Sequence, residues 1–417
     1  MRKLLFALLA LCLTAGLAAC SGSSKNGSSK VTLTYAIWDQ NYQPAIEQAI
    51  RKFEDSHPNI KVKIELTPWS QYWTKLDTGA TGGELPDVFW MNQINYVKYA
   101  ANGIIMPLND QMEAGQIDAS IYPDGVLDYY TNEGKHYGLP FEMSSIGLFY
   151  NKKLFDAANL PYPDETWDWD DVRKAAEKLT DPANGVWGIA STMSTEANYY
   201  NTIYQNNGFI ISEDKKTSGL DRPEAIEGIQ FWVDFIAKKQ SPSAAQMSET
   251  SSEKLFESGK IAMLYDGSWI VKEFADIDYT KENVDVTVLP KGKVSANIVA
   301  ATAMSLNAKT KHPQEAWELL RYMASREAAL IYSSTGSFIT AVNGTQEGWV
   351  KSVPFFNLQA FIDSATKFPK PFPTSKDTMK WFTLEEEYML KAWSQEMSVD
   401  EMAKQLAQKV NELLAQE

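Results

Sequence analysis

The sequence predicts an α/β fold built from two domains or lobes. Its 417 residues exceed the size at which a single hydrophobic core usually stops growing. Apolar residues alternate with smaller or polar ones over 31–37 and again over 60–66, and the segment between them has helical spacing. This β-α-β order predicts a parallel sheet whose strands are joined by right-handed crossovers.

The helix of this unit follows the first strand closely. Apolar residues recur at intervals of three and four from Ile46 to Phe53, which places them on one face of a helix. Pro44 suits the first turn, and the pair His57-Pro58 ends the helix. The segment therefore predicts one amphipathic helix between two strands.

The alternation of strands and helices continues along the chain. Further strands are predicted near 88–90, 137–140, 146–150, 284–289 and 298–306. Further helices are predicted at 168–179, 223–238, 313–333 and 398–415, the last with a serine and a glutamate spaced as a capping box. Because ligands of open α/β sheets bind beyond the carboxyl ends of the strands, the residues that close these strands are the first candidates for a site.

Residues 1–19 have the pattern of a secretory signal. Arg2 and Lys3 precede an apolar run over 4–13, which is too short to span a bilayer, and small residues follow. We therefore expect the protein to be exported.

The signal ends in Leu17-Ala18-Ala19-Cys20, which resembles a bacterial lipobox. Cleavage before Cys20 would leave its thiol carrying lipid; an ordinary signal with an incidental cysteine is the alternative. The other cysteine, Cys12, lies inside the signal, so we expect neither a disulfide nor a catalytic thiol in the mature chain. Residues 20–30 are rich in serine and glycine and predict a flexible tether to the outer face of the cell membrane.

The composition is that of a globular protein, with 44% hydrophobic and 22% charged residues. The formal net charge of −14 argues against binding to nucleic acid or to an anionic membrane surface. The chain has no GxSxG, HExxH or phosphate-loop motif and only three histidines, two of which lie beside prolines at predicted helix boundaries. We therefore expect no enzyme activity, no cofactor and no metal site.

Aromatic and polar side chains meet at the ends of three predicted strands, in the segments 38–40, 90–92 and 266–269. Each segment pairs a tryptophan with a carboxylate or an amide. A pyranose ring packs its C–H faces on an aromatic ring, and its hydroxyls pair with carboxylates and amides. Three such segments at strand ends predict a carbohydrate-binding site.

Five segments carry a resemblance to a known family: GGELPDVFWMN (82–92), GKHYGLPFEMSSIGLFYNKKLF (134–155), TWDWDDVRKAAEKLTDPANGVWGIA (166–190), FESGKIAMLYDGSW (256–269) and HPQEAWELLRYMASREAALIYSSTGSFIT (312–340). They resemble the family 1 extracellular solute-binding proteins, the lipoprotein or periplasmic receptors of ABC sugar importers, to which maltose-binding protein belongs. The resemblance covers essentially the whole mature chain in the right order. The polar positions differ from those of maltose-binding protein, so maltose itself is not the expected ligand.

The resemblance implies a two-lobed periplasmic-binding-protein fold of type II, with hinge crossings and a ligand cleft between the lobes. The first lobe is expected to hold residues 31–125 and 297–340, and the second 126–296 and 341–417. The implied partners are a sugar and the permease subunits of an ABC transporter. We expect a monomer that touches the membrane only through its lipid anchor and does not bind nucleic acid.

The expected ligand-binding residues combine the three strand-end segments with positions that the resemblance implies. They are Trp38, Asp39, Gln40, Tyr42, Trp69, Trp90, Asn92, Glu142, Ser144, Tyr199, Asp266, Trp269 and Trp381. Among them, Trp90, Trp269 and Trp381 are expected to stack on the sugar, and Asp39, Gln40, Asn92, Glu142 and Asp266 to hydrogen-bond its hydroxyls.

Two other functions fit parts of this pattern. Aromatic rings flanked by carboxylates also suit a cation such as a polyamine, which would bind through cation–π attraction and charge pairing. A pair of carboxylates such as Asp39 and Glu142 would be needed for an exported glycoside hydrolase, in which one acts as acid and the other as base or nucleophile. The missing enzyme motifs make the hydrolase the weakest of the three hypotheses.

Overall fold

The computed structural model describes residues 30–417. The predicted signal, the lipidation site Cys20 and nearly all of the predicted tether lie outside the described residues. Within 30–417, no helix combines the length and the apolar character that crossing a membrane requires.

The described chain alternates strands and helices throughout. The strands are β1 (Val31–Ile37), β2 (Ile60–Leu66), β3 (Val88–Met91), β4 (Thr131–Asn132), β5 (Lys135–His136), β6 (Leu139–Ser144), β7 (Ile146–Asn151), β8 (Met263–Gly267), β9 (Val284–Thr287), β10 (Asn297–Leu306), β11 (Ile339–Thr340) and β12 (Pro369–Pro371). The helices are α1 (Gln43–Ser56), α2 (Trp69–Gly82), α3 (Tyr96–Ala101), α4 (Asn109–Glu113), α5 (Lys152–Ala157), α6 (Trp169–Leu179), α7 (Tyr200–Gln205), α8 (Pro223–Ala237), α9 (Ala244–Glu249), α10 (Ser252–Glu257), α11 (Val271–Asp276), α12 (Asp278–Asn283), α13 (Pro313–Met323), α14 (Arg326–Thr335), α15 (Glu347–Ser352), α16 (Gln359–Lys367), α17 (Thr378–Trp393) and α18 (Val399–Leu414).

The larger sheet has the strand order β11-β6-β10-β3-β1-β2, with β12 paired to β10. Strand β1 runs parallel to β2 and to β3, and α1 buries its apolar face, including Ile46 and Phe53. The predicted β-α-β unit is therefore confirmed. Strand β10 runs antiparallel to both β3 and β6, so the sheet is mixed rather than parallel.

The smaller sheet has the order β8-β7-β9 and is antiparallel throughout. All five residues of β8 and all six of β7 are buried, so neither strand alternates between buried and exposed residues. Each of these two sheets is the centre of one α/β layer. The first layer contains the larger sheet, and the second layer contains the smaller sheet.

Most predicted helices are present with boundaries shifted by one or two residues. The predicted helix at 313–333 is instead two helices, α13 and α14. It breaks at Ser325, whose Oγ accepts a hydrogen bond from the Ala328 backbone N–H and so caps α14.

The chain crosses from the larger to the smaller sheet at Ser145, because β6 pairs with β10 and the next strand, β7, pairs with β8 and β9. The division expected from the sequence, with its first crossing near 125, separates β6 from β10, the strand with which it pairs. The chain returns through 288–296 to β10.

One side chain ties the outgoing and returning segments together. The Asn297 Oδ1 accepts a hydrogen bond from the Ile146 backbone N–H at 2.9 Å, and the Asn297 Nδ2 donates to the Ile146 carbonyl at 2.7 Å. Beside it, the Asn201 Oδ1 accepts from the Ile298 backbone N–H at 2.7 Å. Amide side chains thus satisfy buried backbone groups where the regular sheet pairing stops.

Glu385 on α17 is a buried carboxyl group. It accepts a hydrogen bond from the Tyr200 hydroxyl at 2.6 Å, and burial raises its pKa to about 8. The same carboxyl ionises near pH 4.5 in the unfolded chain, so the unfolded state binds fewer protons between these two values. The free energy of unfolding therefore falls as pH rises toward 8.

We expect Glu385→Gln to flatten this pH dependence. Urea unfolding of the wild type at pH 6 and pH 8 should differ by about 2 kcal/mol more than that of the variant. Glu387→Gln is the matched control, because Glu387 is exposed on the same helix and pairs with Lys391. Glu387→Gln should keep the pH dependence of the wild type. If the free energy of unfolding changed with pH by the same amount in the wild type and in Glu385→Gln, Glu385 would not be the group responsible.

Candidate ligand-binding site

A cavity of about 660 Å³ lies where the two sheets meet. One wall comes from the segments that follow β1 and β3 and from the first turn of α2. The other comes from residues 193–199, Trp269 and α17, and strands β6 and β10 contribute the residues between them. The cavity is therefore formed by both α/β layers, next to the chain crossings.

The structure brings nine of the thirteen predicted site residues together around this cavity. They are Trp38, Asp39, Tyr42, Trp69, Asn92, Glu142, Ser144, Tyr199 and Trp269.

Four predicted residues do not line the cavity, which corrects the roles expected for them. Gln40 is exposed outside it. Trp90 is fully buried, and its Nε1 donates to the Tyr35 hydroxyl at 2.8 Å. The other two are Trp381, which is fully buried in the second layer, and Asp266, which is almost fully buried in β8. Because the rings of Trp90 and Trp381 are buried and have no free face, they cannot stack on a ligand as expected.

The first wall is a packed group of aromatic rings centred on Trp38. The ring of Trp38 meets Trp69 edge to face at a centroid distance of 5.2 Å and lies 5.9 Å from Trp73. Trp90 supports it from the core, with a centroid distance of 5.0 Å and an angle of 85°. Trp69 remains 51% exposed, so a planar face is free for a ligand while its neighbours hold the ring in place.

Trp269 on the second wall explains the unusual end of β8. A Cβ at Gly267 would lie 2.2 Å from the indole ring, so only glycine lets the ring pack on the backbone there. Asp266 uses its Oδ1 to accept a hydrogen bond from the Gly267 N–H at 2.7 Å. The acid therefore shapes the turn that presents Trp269 and does not face the cavity.

Carboxyl groups are the charged groups of the cavity lining. Burial raises the pKa of Glu142 to about 8, and the neighbouring Glu196 carboxyl adds to the shift. Burial also raises the pKa of Glu196 to about 7, although the Ser144 hydroxyl donates to it at 3.1 Å. The pKa of Asp39 is raised by burial as well, against a hydrogen bond from the Asn41 N–H. These groups can accept hydrogen bonds from hydroxyls and, when protonated, donate them.

Sequence reasoning missed several lining residues. Glu196 lies in a single π-helical turn, Thr195–Tyr199, rather than at a strand end. Trp73 follows Trp69 by four residues on α2, and this helical spacing was a usable signal. The remaining missed residues are Gln93, Ile94, Asn95, Met193, Ser194, Thr195, Ala300, Ala301, Thr302, Phe372, Met379, Phe382 and Glu386.

The cavity offers both polar and aromatic surface. In the described part of the chain, no group of three histidine, cysteine, aspartate or glutamate side chains is placed to hold a metal ion. The arrangement fits recognition of a ligand that has both apolar faces and many hydroxyls or amines.

Comparison with known proteins identifies similar chains. Residues 38–330 match the family model described as bacterial extracellular solute-binding protein. The chain is 25% identical over 334 residues to the galactooligosaccharide-binding protein of Bacillus subtilis, covering 77% of this chain and 76% of that one. It is 26% identical over 355 residues to the multiple sugar-binding protein of Streptococcus mutans, covering 79% of this chain and 80% of that one.

A solved structure shows a similar fold over nearly the whole described chain. An ABC substrate-binding protein of Listeria monocytogenes, in complex with cycloalternan, superposes with a TM-score of 0.86 at 27% identity. The match covers 93% of this chain and 100% of the other.

Proposed function

The chain belongs to the bacterial extracellular solute-binding protein family, and from this premise we propose that it is the receptor of an ABC importer that captures a mono- or oligosaccharide in its interlobe cleft. The observation that carries the proposal is a cavity of about 660 Å³ with tryptophans on opposite walls and carboxyl and amide groups between them. Its volume falls within the range of small-molecule sites, about 300–1,000 Å³. The names of the two bacterial relatives support a sugar rather than another solute.

Trp38 and Trp69 would hold the ligand from the first lobe and Trp269 from the second. Asp39, Asn92 and Glu142 would pair with its hydroxyls. A ligand that touches both walls makes contacts that an open cleft cannot make, so it favours the closed arrangement. The closed form would deliver the sugar to the permease without making or breaking a bond.

The two lobes are proposed to follow the sequence-based division, 31–125 with 297–340 and 126–296 with 341–417, with one change. The pairing of β6 with β10 supports moving the first crossing from 125 to Ser145. The hydrogen bonds of Asn297 to Ile146 support a hinge at the same place.

The proposed location is the outer face of the cell membrane, with a lipid on Cys20 as the only anchor and the receptor acting as a monomer. The lipobox-like residues 17–20 and the extracellular family support this location. Metabolic labelling with a radioactive fatty acid should label the wild type and not Cys20→Ser; equal labelling of both would exclude Cys20 as the lipid site.

A melting-temperature screen of residues 30–417 tests the proposed function. A ligand present at 100 times its Kd stabilises the folded protein by about 2.7 kcal/mol, which should raise the Tm by at least about a degree. We expect a shift with one series of mono- or oligosaccharides. A shift with polyamines alone, or none with any saccharide, would contradict a sugar receptor.

A further inference from the structure

The ligand cavity carries one sign of charge. Four acidic residues line it, Asp39, Glu142, Glu196 and Glu386, and its lining contains no lysine, arginine or histidine. The hydrogen-bond donors of the lining are uncharged amides and hydroxyls, such as the amide of Asn92. The strongest polar groups of this cavity are all acceptors when ionised.

None of these acidic groups has a cationic partner in the described chain. The ion pairs within 4.0 Å that residues 30–417 form involve other carboxylates. Glu142 is only 4% exposed, and its partners in the sheet, Thr302 on β10 and Thr340 on β11, are uncharged. A buried carboxylate is costly without a positive partner, so Glu142 is placed to receive one from the ligand.

The groups around Glu142 increase its need for a positively charged partner. The acids Glu196 and Asp39 and the phenols Tyr42 and Tyr130 all interact with it electrostatically, and none of them can carry a positive charge. Burial and the neighbouring acids together raise the pKa of Glu142 to about 8, which means that the empty cavity retains a proton that a bound cation would displace.

The aromatic walls accept a cation as well as a sugar ring. Trp38, Trp69 and Trp269 present faces whose quadrupole attracts an ammonium group, and the same faces pack on pyranose C–H bonds. The cavity therefore combines what a sugar ring needs with what a positive charge needs.

We propose that the cargo is a saccharide that carries a protonated amino group, with the ammonium beside Glu142 and Glu196 and the rings on the tryptophans. This inference rests on the proposed function and narrows its ligand class. A fully acetylated or neutral saccharide of the same shape would leave Glu142 and Glu196 without a cationic partner when the cleft closes.

Matched pairs of sugars isolate the contribution of the ammonium. Calorimetry would compare glucosamine and galactosamine, as monomers to tetramers, with the N-acetylated sugars of the same length and linkage, with neutral oligosaccharides and with putrescine and spermidine. We expect a free-amine sugar to bind at least about 10-fold more tightly than its N-acetylated counterpart, and the preference to weaken with added salt because charge pairing is screened.

Two variants assign this preference to the cavity. Glu142→Gln and Glu196→Gln keep size and polarity but remove charge, and each should reduce the preference for the amino sugar over its N-acetylated counterpart by about 10-fold. Glu385→Gln is the control, because Glu385 is a buried carboxyl outside the cavity. It should leave both affinities unchanged.

Proton release is an independent readout. Binding of the amino sugar at pH 7 should release a proton from Glu142, and the buffer takes up this proton. The heat measured for binding the amino sugar should therefore vary with the ionisation heat of the buffer in the wild type, and vary less in Glu142→Gln.

The outcomes separate the two proposals. Equal or tighter binding of acetylated or neutral sugars, or a preference unchanged in both Gln variants, would overturn the amino-sugar inference and leave the sugar receptor intact. Binding of polyamines without any saccharide would overturn both.

Discussion

Trp269→Ala is expected to weaken saccharide binding by about 10- to 100-fold, which corresponds to about 1.4–2.8 kcal/mol. The substitution removes the aromatic face of the second wall, and with it the apolar contact area that an indole buries against a sugar ring. The backbone at Gly267 has a φ of −86°, an ordinary extended value, so the turn does not need the indole to keep its conformation. Calorimetry with the saccharide found in the melting screen measures the effect.

Trp381→Phe is the control for this experiment. Trp381 is fully buried, and its Nε1 donates to the Ser375 hydroxyl at 2.9 Å away from the cavity. The variant should be less stable but bind with unchanged affinity. A Trp269→Ala protein that binds within twofold of the wild type would show that the ligand does not stack on the second wall.

Asn297→Ala is expected to lower the free energy of unfolding by about 2–6 kcal/mol. The substitution leaves the Ile146 N–H and carbonyl, both buried at the chain crossing, without their hydrogen-bond partners, and each unsatisfied group costs about 1–3 kcal/mol. Urea denaturation measures the change. Asn184→Ala is the matched control, since Asn184 is exposed and its side chain bonds to Asp181 within the same turn; it should change stability by less than about 0.5 kcal/mol. If both variants lost a similar free energy of unfolding, the hydrogen bonds of Asn297 to Ile146 would not be a major source of stability.

The fold was predictable because its signals are local. The helical spacing in α1 and the alternation in β1 and β2 each specify an element, and their order specifies a parallel pair. The antiparallel pairing of β10 with β3 and β6 connects segments that are far apart in the sequence. No short segment encodes it, because β6 is buried on both faces and shows no alternation.

The wrong predictions for Trp90 and Trp381 also arise because long-range packing, and not the local sequence, decides which way these side chains point. Strand β3 is buried at all four positions, so its sequence does not reveal which face Trp90 occupies. On α17, Trp381 lies in the core, whereas the adjacent Phe382 lines the cavity. One residue rotates a helix position by about 100°, and only the packing of α17 decides which ring faces the ligand.

Small-angle X-ray scattering of residues 30–417, with and without the saccharide found in the melting screen, tests most directly whether the ligand joins the two lobes. The account predicts that the radius of gyration falls as the saccharide saturates the protein, and that Trp269→Ala needs about 10- to 100-fold more saccharide for the same fall. A saccharide that raises the Tm but leaves the radius of gyration of the wild type unchanged would contradict capture between the lobes.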